Sequence, residues 1–332
     1  MQYPSVLKAV GNTPLIQIPF DTPATVLAKL EYLNPGGSVK DRSALYMVEK
    51  AEKEGKLKPG GTLIDASSGN HGIALAMIGA AKGYKVIITV TQKCSKEKLQ
   101  TLQAYGAQII MCKSTELITD PESYHNVAYK LAQETPNSFM PNQYYNEVNR
   151  DAHYSLLGPE IFKQTNGRVT HFFAGSGTGG TVSGVGRYLK EQNPSVKIFA
   201  LDAANSFRAT QGNPKPYKIE GIGIDFSSDV IDYNVIDEVL TVTDQEGLSI
   251  LSPLAQQYGL LVGPSSGAVA AGFFQKINTL TKDDVVVLMF SDSGRAYLSK
   301  NFYGAQDEIA APLYTQTDTY PQVKPEIDST TL

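Results

Sequence analysis

The sequence predicts an α/β protein of two lobes, each built on a mostly parallel, twisted sheet flanked by helices. Three observations carry this. The chain has 332 residues, more than one small core uses and enough for two lobes. From about Thr62 onward, short apolar runs alternate with amphipathic stretches, the rhythm of parallel sheets with right-handed crossovers. Those apolar runs lack polar alternation, so they read as strands buried on both faces.

The elements follow in order. "TLIDA" leads into "HGIALAMIGAAKG", and "KVIITV" into "SKEKLQTLQAYG". "QIIMC" is followed, after a loop, by "ESYHNVAYKLAQE". Gly83 and Gly106 stand where helix C-caps are expected. The segment from Met140 to Ile161 interrupts the rhythm and reads as a crossing between lobes. Beyond it "THFFAG" leads into "GTVSGVGRYLKEQ", then "KIFALD", and "VVVLMF" comes near the end. The stretch from Asn205 to Ser228, rich in Gly, Pro and Lys, reads as a loop over a cleft. The expected division is residues 1–145, holding the small mobile lobe; residues 146–304, the large lobe; and a polar tail, residues 305–332.

Composition narrows the function. A formal net charge of −4 leaves no basic footprint for nucleic acid. No apolar run approaches membrane-spanning length. The first residues lack the charged head and apolar core of a secretory signal. Two cysteines, Cys94 and Cys112, form no disulfide framework and no metal-ligand spacing. They read as small buried hydrophobes, and the expectation is a cytoplasmic protein without a metal.

In an open parallel sheet, ligands collect at strand C-termini. The turns after "TLIDA", "THFFAG" and "VVVLMF" are therefore the places to search. "GSGTGGT", Gly175 to Thr181, lies between a strand and a helix. Its glycines let backbone N–H groups approach an anion, and the helix N-terminus adds positive potential. That suits a phosphate held by Gly177, Thr178, Gly179, Gly180 and Thr181. The same stretch fits G-x-G-x-x-G with Asp202 ending the next strand, a nicotinamide-binding alternative. "SSGNHG" offers Ser67, Ser68, Gly69, Asn70 and His71 at another helix start, a site for a carboxylate or a simple cap.

One phosphate and one carboxylate suggest a phosphorylated cofactor acting on an amino acid. Pyridoxal 5′-phosphate fits, and it needs a lysine. Lys40, in "NPGGSVKDRS", follows a tight Gly-Gly-Ser turn at a helix start. A desolvated amine there has a lowered pKa and becomes nucleophilic. "LMFSDSGRAY" puts Asp292 and Ser293 at a strand end. A carboxylate partner for the cofactor's ring nitrogen would strengthen its electron sink; a hydroxyl would favour loss of a β-substituent. Position along the chain leaves both open.

These residues together resemble the cysteine synthase/cystathionine β-synthase family, the fold type II pyridoxal-phosphate enzymes. The resemblance rests on "VGNTPL", "NPGGSVKDR", "SGNHG", "NQYYNEVN", "GPEI", "GSGTGGT", "EGIG" and "SDSGRAYLSK". It implies that Lys40 forms the imine with the cofactor and moves the α-proton. It implies that Asn70 contacts the cofactor's 3′-oxygen, and that the loop Ser67 to His71 grips the substrate carboxylate with help from Gln143. It aligns Ser293 with the ring nitrogen. It further implies a homodimer and lobe closure over amino-acid and thiol substrates. "TPNSFMPNQYYNEVNRDAHY" and "EGIGIDF" look more like cystathionine β-synthases than O-acetylserine sulfhydrylases. The implied reaction joins serine or O-acetylserine to homocysteine through an aminoacrylate. A cysteine synthase using sulfide is the alternative, and a serine/threonine dehydratase a further one. His71 stands where the family carries threonine, as in serine/threonine dehydratases, and "VGPSSG" departs at its proline. Both bear on the second substrate. A nicotinamide oxidoreductase and a non-catalytic amino-acid sensor are the readings from other classes.

Overall fold

The computed structural model describes residues 2–92, 94–115 and 118–304. The polar tail, residues 305–332, lies outside the described residues. The strands are β1 (Leu15–Gln17), β2 (Thr25–Leu30), β3 (Thr62–Ala66), β4 (Lys85–Val90), β5 (Gln108–Met111), β6 (Ser138–Phe139), β7 (His171–Gly175), β8 (Lys197–Ala203), β9 (Glu238–Val242) and β10 (Val285–Phe290). They form two sheets. The larger has the order β1-β2-β10-β7-β8-β9 and the smaller β5-β4-β3-β6. Every pairing is parallel except β1 with β2. The expected α/β class with mostly parallel sheets is therefore what the chain adopts.

The continuous apolar runs are where the burial is. All five residues of β3 and all six of β10 are buried. Each large apolar side chain so buried contributes about 1.5–3 kcal/mol. The helices α1 (Lys40–Lys53), α2 (Asn70–Lys82), α3 (Lys96–Ala104) and α4 (Tyr124–Glu134) surround the smaller sheet. The larger sheet is covered by α6 (Gly158–Gln164), α7 (Gly180–Gln192), α8 (Asp244–Ser249), α9 (Leu251–Tyr258) and α10 (Pro264–Lys276), while α5 (Val148–Ala152) packs between α1 and α7. Gly83 caps α2 in the left-handed region at φ 76°, and Gly106, at φ 81°, follows the C-cap of α3.

The region before residue 145 divides between the two sheets. β1 and β2 join β10 in the larger one, and only β3 to β6 build the smaller. α1 then bridges them, packing on both α2 and α5. Residues 204–232 carry no helix or strand. Cys94 and Cys112 are buried free thiols. Among the described residues no helix is long and apolar enough to cross a membrane.

Candidate functional site

The strand ends of both sheets converge on the start of α1. Gly37 turns the chain at φ 88°, where a side chain would be strained, and its N–H donates to the Asn34 carbonyl at 2.9 Å. The Val39 N–H donates to the Ser291 carbonyl at 2.9 Å, tying the turn to the end of β10. Lys40 is the first residue of α1. Two residues on, the buried Arg42 donates to Glu31 Oε2 and Oε1, both at 2.7 Å, and to Glu160 Oε2 at 2.8 Å. Lys29 adds its amine to Glu160 at 2.5 Å. Burial would raise the Glu160 carboxyl, but Arg42 and Lys29 outweigh it and hold it at about 2. The first turn of α1 is thus anchored by paired charges to the turn after β2 and to α6.

Lys40 is half-buried as a residue. The protein packed around its amine still desolvates it and lowers its pKa to about 8, against a smaller upward pull from Asp292. Loss of hydration disfavours the charged form, so much of the amine is neutral near that pH. Burial likewise raises the neighbouring Asp41 to about 7.

The loop after β3 lies beside it. Ser67 Oγ accepts from the Gly72 N–H at 3.0 Å, and Ser68 Oγ accepts from the Thr91 N–H at 3.0 Å. Both hydroxyls hold the loop and keep their own protons to donate. Among the described residues no protein acceptor takes the N–H of Ser68, Asn70 or His71. These donors, at the start of the thirteen-residue α2, fit a carboxylate. His71 is buried, with Nε2 3.0 Å from Asp65 Oδ2 and Nδ1 without a partner among the described residues. Asp65 also accepts the Asn142 N–H at 3.1 Å. That brings the buried Gln143 beside the loop, and its side-chain amide makes no hydrogen bond among the described residues.

The glycine-rich loop after β7 fits a phosphate. The N–H groups of Gly177, Thr178 and Gly179 meet no protein acceptor among the described residues, and they sit at the N-terminus of α7. Gly179 has φ 88°, and a Cβ there would lie 2.4 Å from Ile231 Cβ. Asn149 Nδ2 joins this loop to the crossing segment, donating to Thr178 Oγ1 at 3.1 Å and to the Gln143 carbonyl at 2.9 Å. His153 Nε2 lies 3.3 Å from Thr181 Oγ1. Burial, then the charges of Lys40 and Arg42, push the His153 pKa well down, so it is neutral.

At the end of β10 the two adjacent residues face opposite neighbours. Asp292 pairs with Ser38 and Ser293 with Val262. Asp292 is buried and accepts from Asn70 Nδ2 at 2.7 Å and Tyr297 OH at 2.5 Å. Burial raises its pKa. Ser293, half-buried, accepts the Arg295 N–H at 3.2 Å and keeps its hydroxyl proton. Asp202 is fully buried and paired with Arg208 at 2.9 Å. It presents no carboxylate to a ribose, which a dinucleotide site requires.

Lys40, the loop Ser67 to His71, Gln143, the loop Gly177 to Thr181 and Ser293 therefore belong to one linked set of strand ends. Asn149, His153, Tyr297 and Arg208 also belong to it and were not singled out by sequence. "NQYYNEVN" marked Asn149 only as part of a crossing.

A family model described as pyridoxal-phosphate dependent enzyme matches residues 6–292. The chain is 43% identical over 306 residues to a cystathionine beta-synthase of Apis mellifera, covering 90% of this chain and 61% of that protein. It is 38% identical over 310 residues to a cysteine synthase of Staphylococcus aureus, covering 91% of this chain and 98% of that one. The structure of an O-acetylserine dependent cystathionine beta-synthase from Helicobacter pylori superimposes with a TM-score of 0.85 at 36% identity, over 91% of this chain and 99% of that chain. The chain thus spans about six tenths of the length of the animal relative.

Proposed function

The chain belongs to the pyridoxal-phosphate dependent enzyme family, among the cystathionine β-synthases and cysteine synthases, and on that premise we propose that it catalyses β-replacement on serine or O-acetylserine, with homocysteine as the thiol. One observation carries the reading. The Lys40 amine, lowered to about 8, interacts with both Asp292 and His153. Asp292 touches the carboxylate loop through Asn70, and His153 touches the phosphate loop through Thr181.

Pyridoxal phosphate, when bound, supplies an electron sink for the pair left on the substrate's α-carbon after proton loss. Lys40 would hold it, with the phosphate at Gly177 to Thr181. The neutral Lys40 amine takes the α-proton as general base and returns it at the end. The free N–H groups of Ser68, Asn70 and His71, with the Gln143 amide, orient the substrate carboxylate. Neutral His153 fixes the Thr181 hydroxyl without adding charge. Asp292 Oδ2 is taken by Asn70 and Tyr297 and its Oδ1 is buried against Gly263, which supports the half-buried Ser293 hydroxyl as the group that would meet the ring nitrogen. A hydroxyl there favours loss of a β-substituent over transamination.

The acetyl donor is supported by the O-acetylserine dependent relative. Sulfide as thiol is the second reading, favoured by the match along 98% of the S. aureus cysteine synthase. The test is a mass-spectrometric screen of serine and O-acetylserine, each with homocysteine, cysteine and sulfide. Cystathionine as main product is expected. Cysteine alone would favour the second reading, and pyruvate without thiol consumption would overturn both. A homodimer is part of the reading, checked by sedimentation equilibrium.

A further inference from the structure

Arg208 lies behind the glycine-rich loop, on the segment after β8. Its Nη2 donates to the Ser176 carbonyl, and to the Gly177 carbonyl at 3.0 Å. Its Nε donates to Asp202 Oδ2 at 2.9 Å. Asp202 is itself fixed: it is fully buried, and its Oδ1 accepts the Ala203 N–H at 2.9 Å. The guanidinium is therefore clamped from one side and grips two successive carbonyls on the other. A third, that of Thr178, accepts from Ser228 Oγ at 2.8 Å.

In a trans peptide the C=O of one residue and the N–H of the next point in opposite directions, and the described chain has no cis peptide bond. Holding the carbonyls of Ser176 and Gly177 behind the loop turns the N–H groups of Gly177 and Thr178 to its other side. Those two donors, with that of Gly179, are the ones that no protein acceptor takes among the described residues. Donation from a cation also polarises each peptide unit and strengthens its N–H as a donor. Asp202 offsets the charge, so the effect is chiefly one of aim.

We propose that Arg208 is a positioning residue that pre-aims the phosphate cradle through the Ser176 and Gly177 carbonyls, with Asp202 as its anchor. This rests on the assignment of Gly177 to Thr181 as the phosphate site. A lysine would not reproduce it, because one ammonium lacks the planar fork that spans a carboxylate and two carbonyls.

The experiment compares pyridoxal 5′-phosphate with pyridoxal, which lacks the phosphate, on apoenzyme prepared from the purified full chain. Wild type, Arg208→Met and Arg208→Lys are titrated with each, and the ³¹P resonance of the bound cofactor is recorded. Melting temperatures of the apo forms report folding. Arg208→Met is expected to weaken the phosphorylated form by about ten- to a hundredfold and to move the ³¹P resonance, with pyridoxal binding unchanged. Arg208→Lys should recover only part of the loss. Should Arg208→Met fold poorly, Asp202→Asn, which loosens the anchor and keeps the guanidinium, should shift the same affinity ratio in the same direction. Equal weakening of both forms, or an unchanged ratio and resonance, would overturn the proposal. A wild type that does not distinguish the two forms would instead overturn the phosphate-site assignment.

Discussion

Asn70 Nδ2 donates to Asp292 Oδ2 at 2.7 Å across 222 positions of sequence, joining the loop after β3 to the end of β10. The smaller and larger sheets meet at this bond. Asp292 also accepts Tyr297 OH, over whose ring the Lys98 amine lies at 4.1 Å. Lys98 in turn donates to Glu220 at 2.6 Å. A carboxylate beside Lys40 therefore takes part in holding the lobes together.

Asp292 raises the Lys40 pKa against the larger effect of burial. Asp292→Asn removes the charge and keeps an acceptor for Asn70 and Tyr297. The pH midpoint for capture of pyridoxal phosphate by the apoenzyme should fall by about one unit or less. Stopped-flow absorbance across pH measures this, and an upward shift would contradict the geometry.

In the unaltered apoenzyme that capture should quicken as pH rises through about 8, because only the uncharged amine is nucleophilic. Lys40→Ala should abolish borohydride labelling and turnover while the protein still folds. Labelling of another peptide would remove Lys40 from its role.

The Arg42 network sets a different dependence. The Glu160 carboxyl is held at about 2 against a usual 4.5. Its stabilisation is complete above 4.5 and is lost as pH falls from there toward about 2. Acid unfolding should therefore move to higher pH in Arg42→Ala. That variant should also lose about 3–5 kcal/mol at neutral pH, since it leaves the buried Glu31 carboxylate without its cation and Glu160 with Lys29 alone. Urea denaturation checks both.

Gly179→Ala would put a methyl against Ile231 and force an L residue to φ 88°. The free N–H groups around it should lose their aim. Release of pyridoxal phosphate from the holoenzyme should quicken by about tenfold or more, read from cofactor absorbance after dilution.

Ser293→Asp places a carboxylate where the proposed reading has a hydroxyl. β-Replacement should fall and side reactions rise, read as the product ratio from O-acetylserine and homocysteine. An unchanged ratio would separate Ser293 from the ring nitrogen.

Amino-acid order by itself marked β3, β4, β5, β7, β8 and β10, because unbroken apolar runs such as "VVVLMF" can be buried only from both faces; it left β1, β2, β6 and β9 unmarked. It also marked two helix starts whose N–H groups no protein acceptor takes among the described residues, since a glycine-rich turn before a helix exposes donors whatever surrounds it. It did not choose between Asp292 and Ser293: neighbours in extended backbone face opposite sides, and only the packing of Ser38 and Val262 against them set which side is which. Nor did it show that β1 and β2 would leave their sequence neighbours for the larger sheet. Asp202 looked like a ribose ligand until folding placed Arg208 on it. Each of these was decided by contacts between residues far apart in the chain, or by which face of a strand meets which neighbour. Local pattern carries no record of either, because the free energy that selects them appears only once the sheets and their covering helices have closed together.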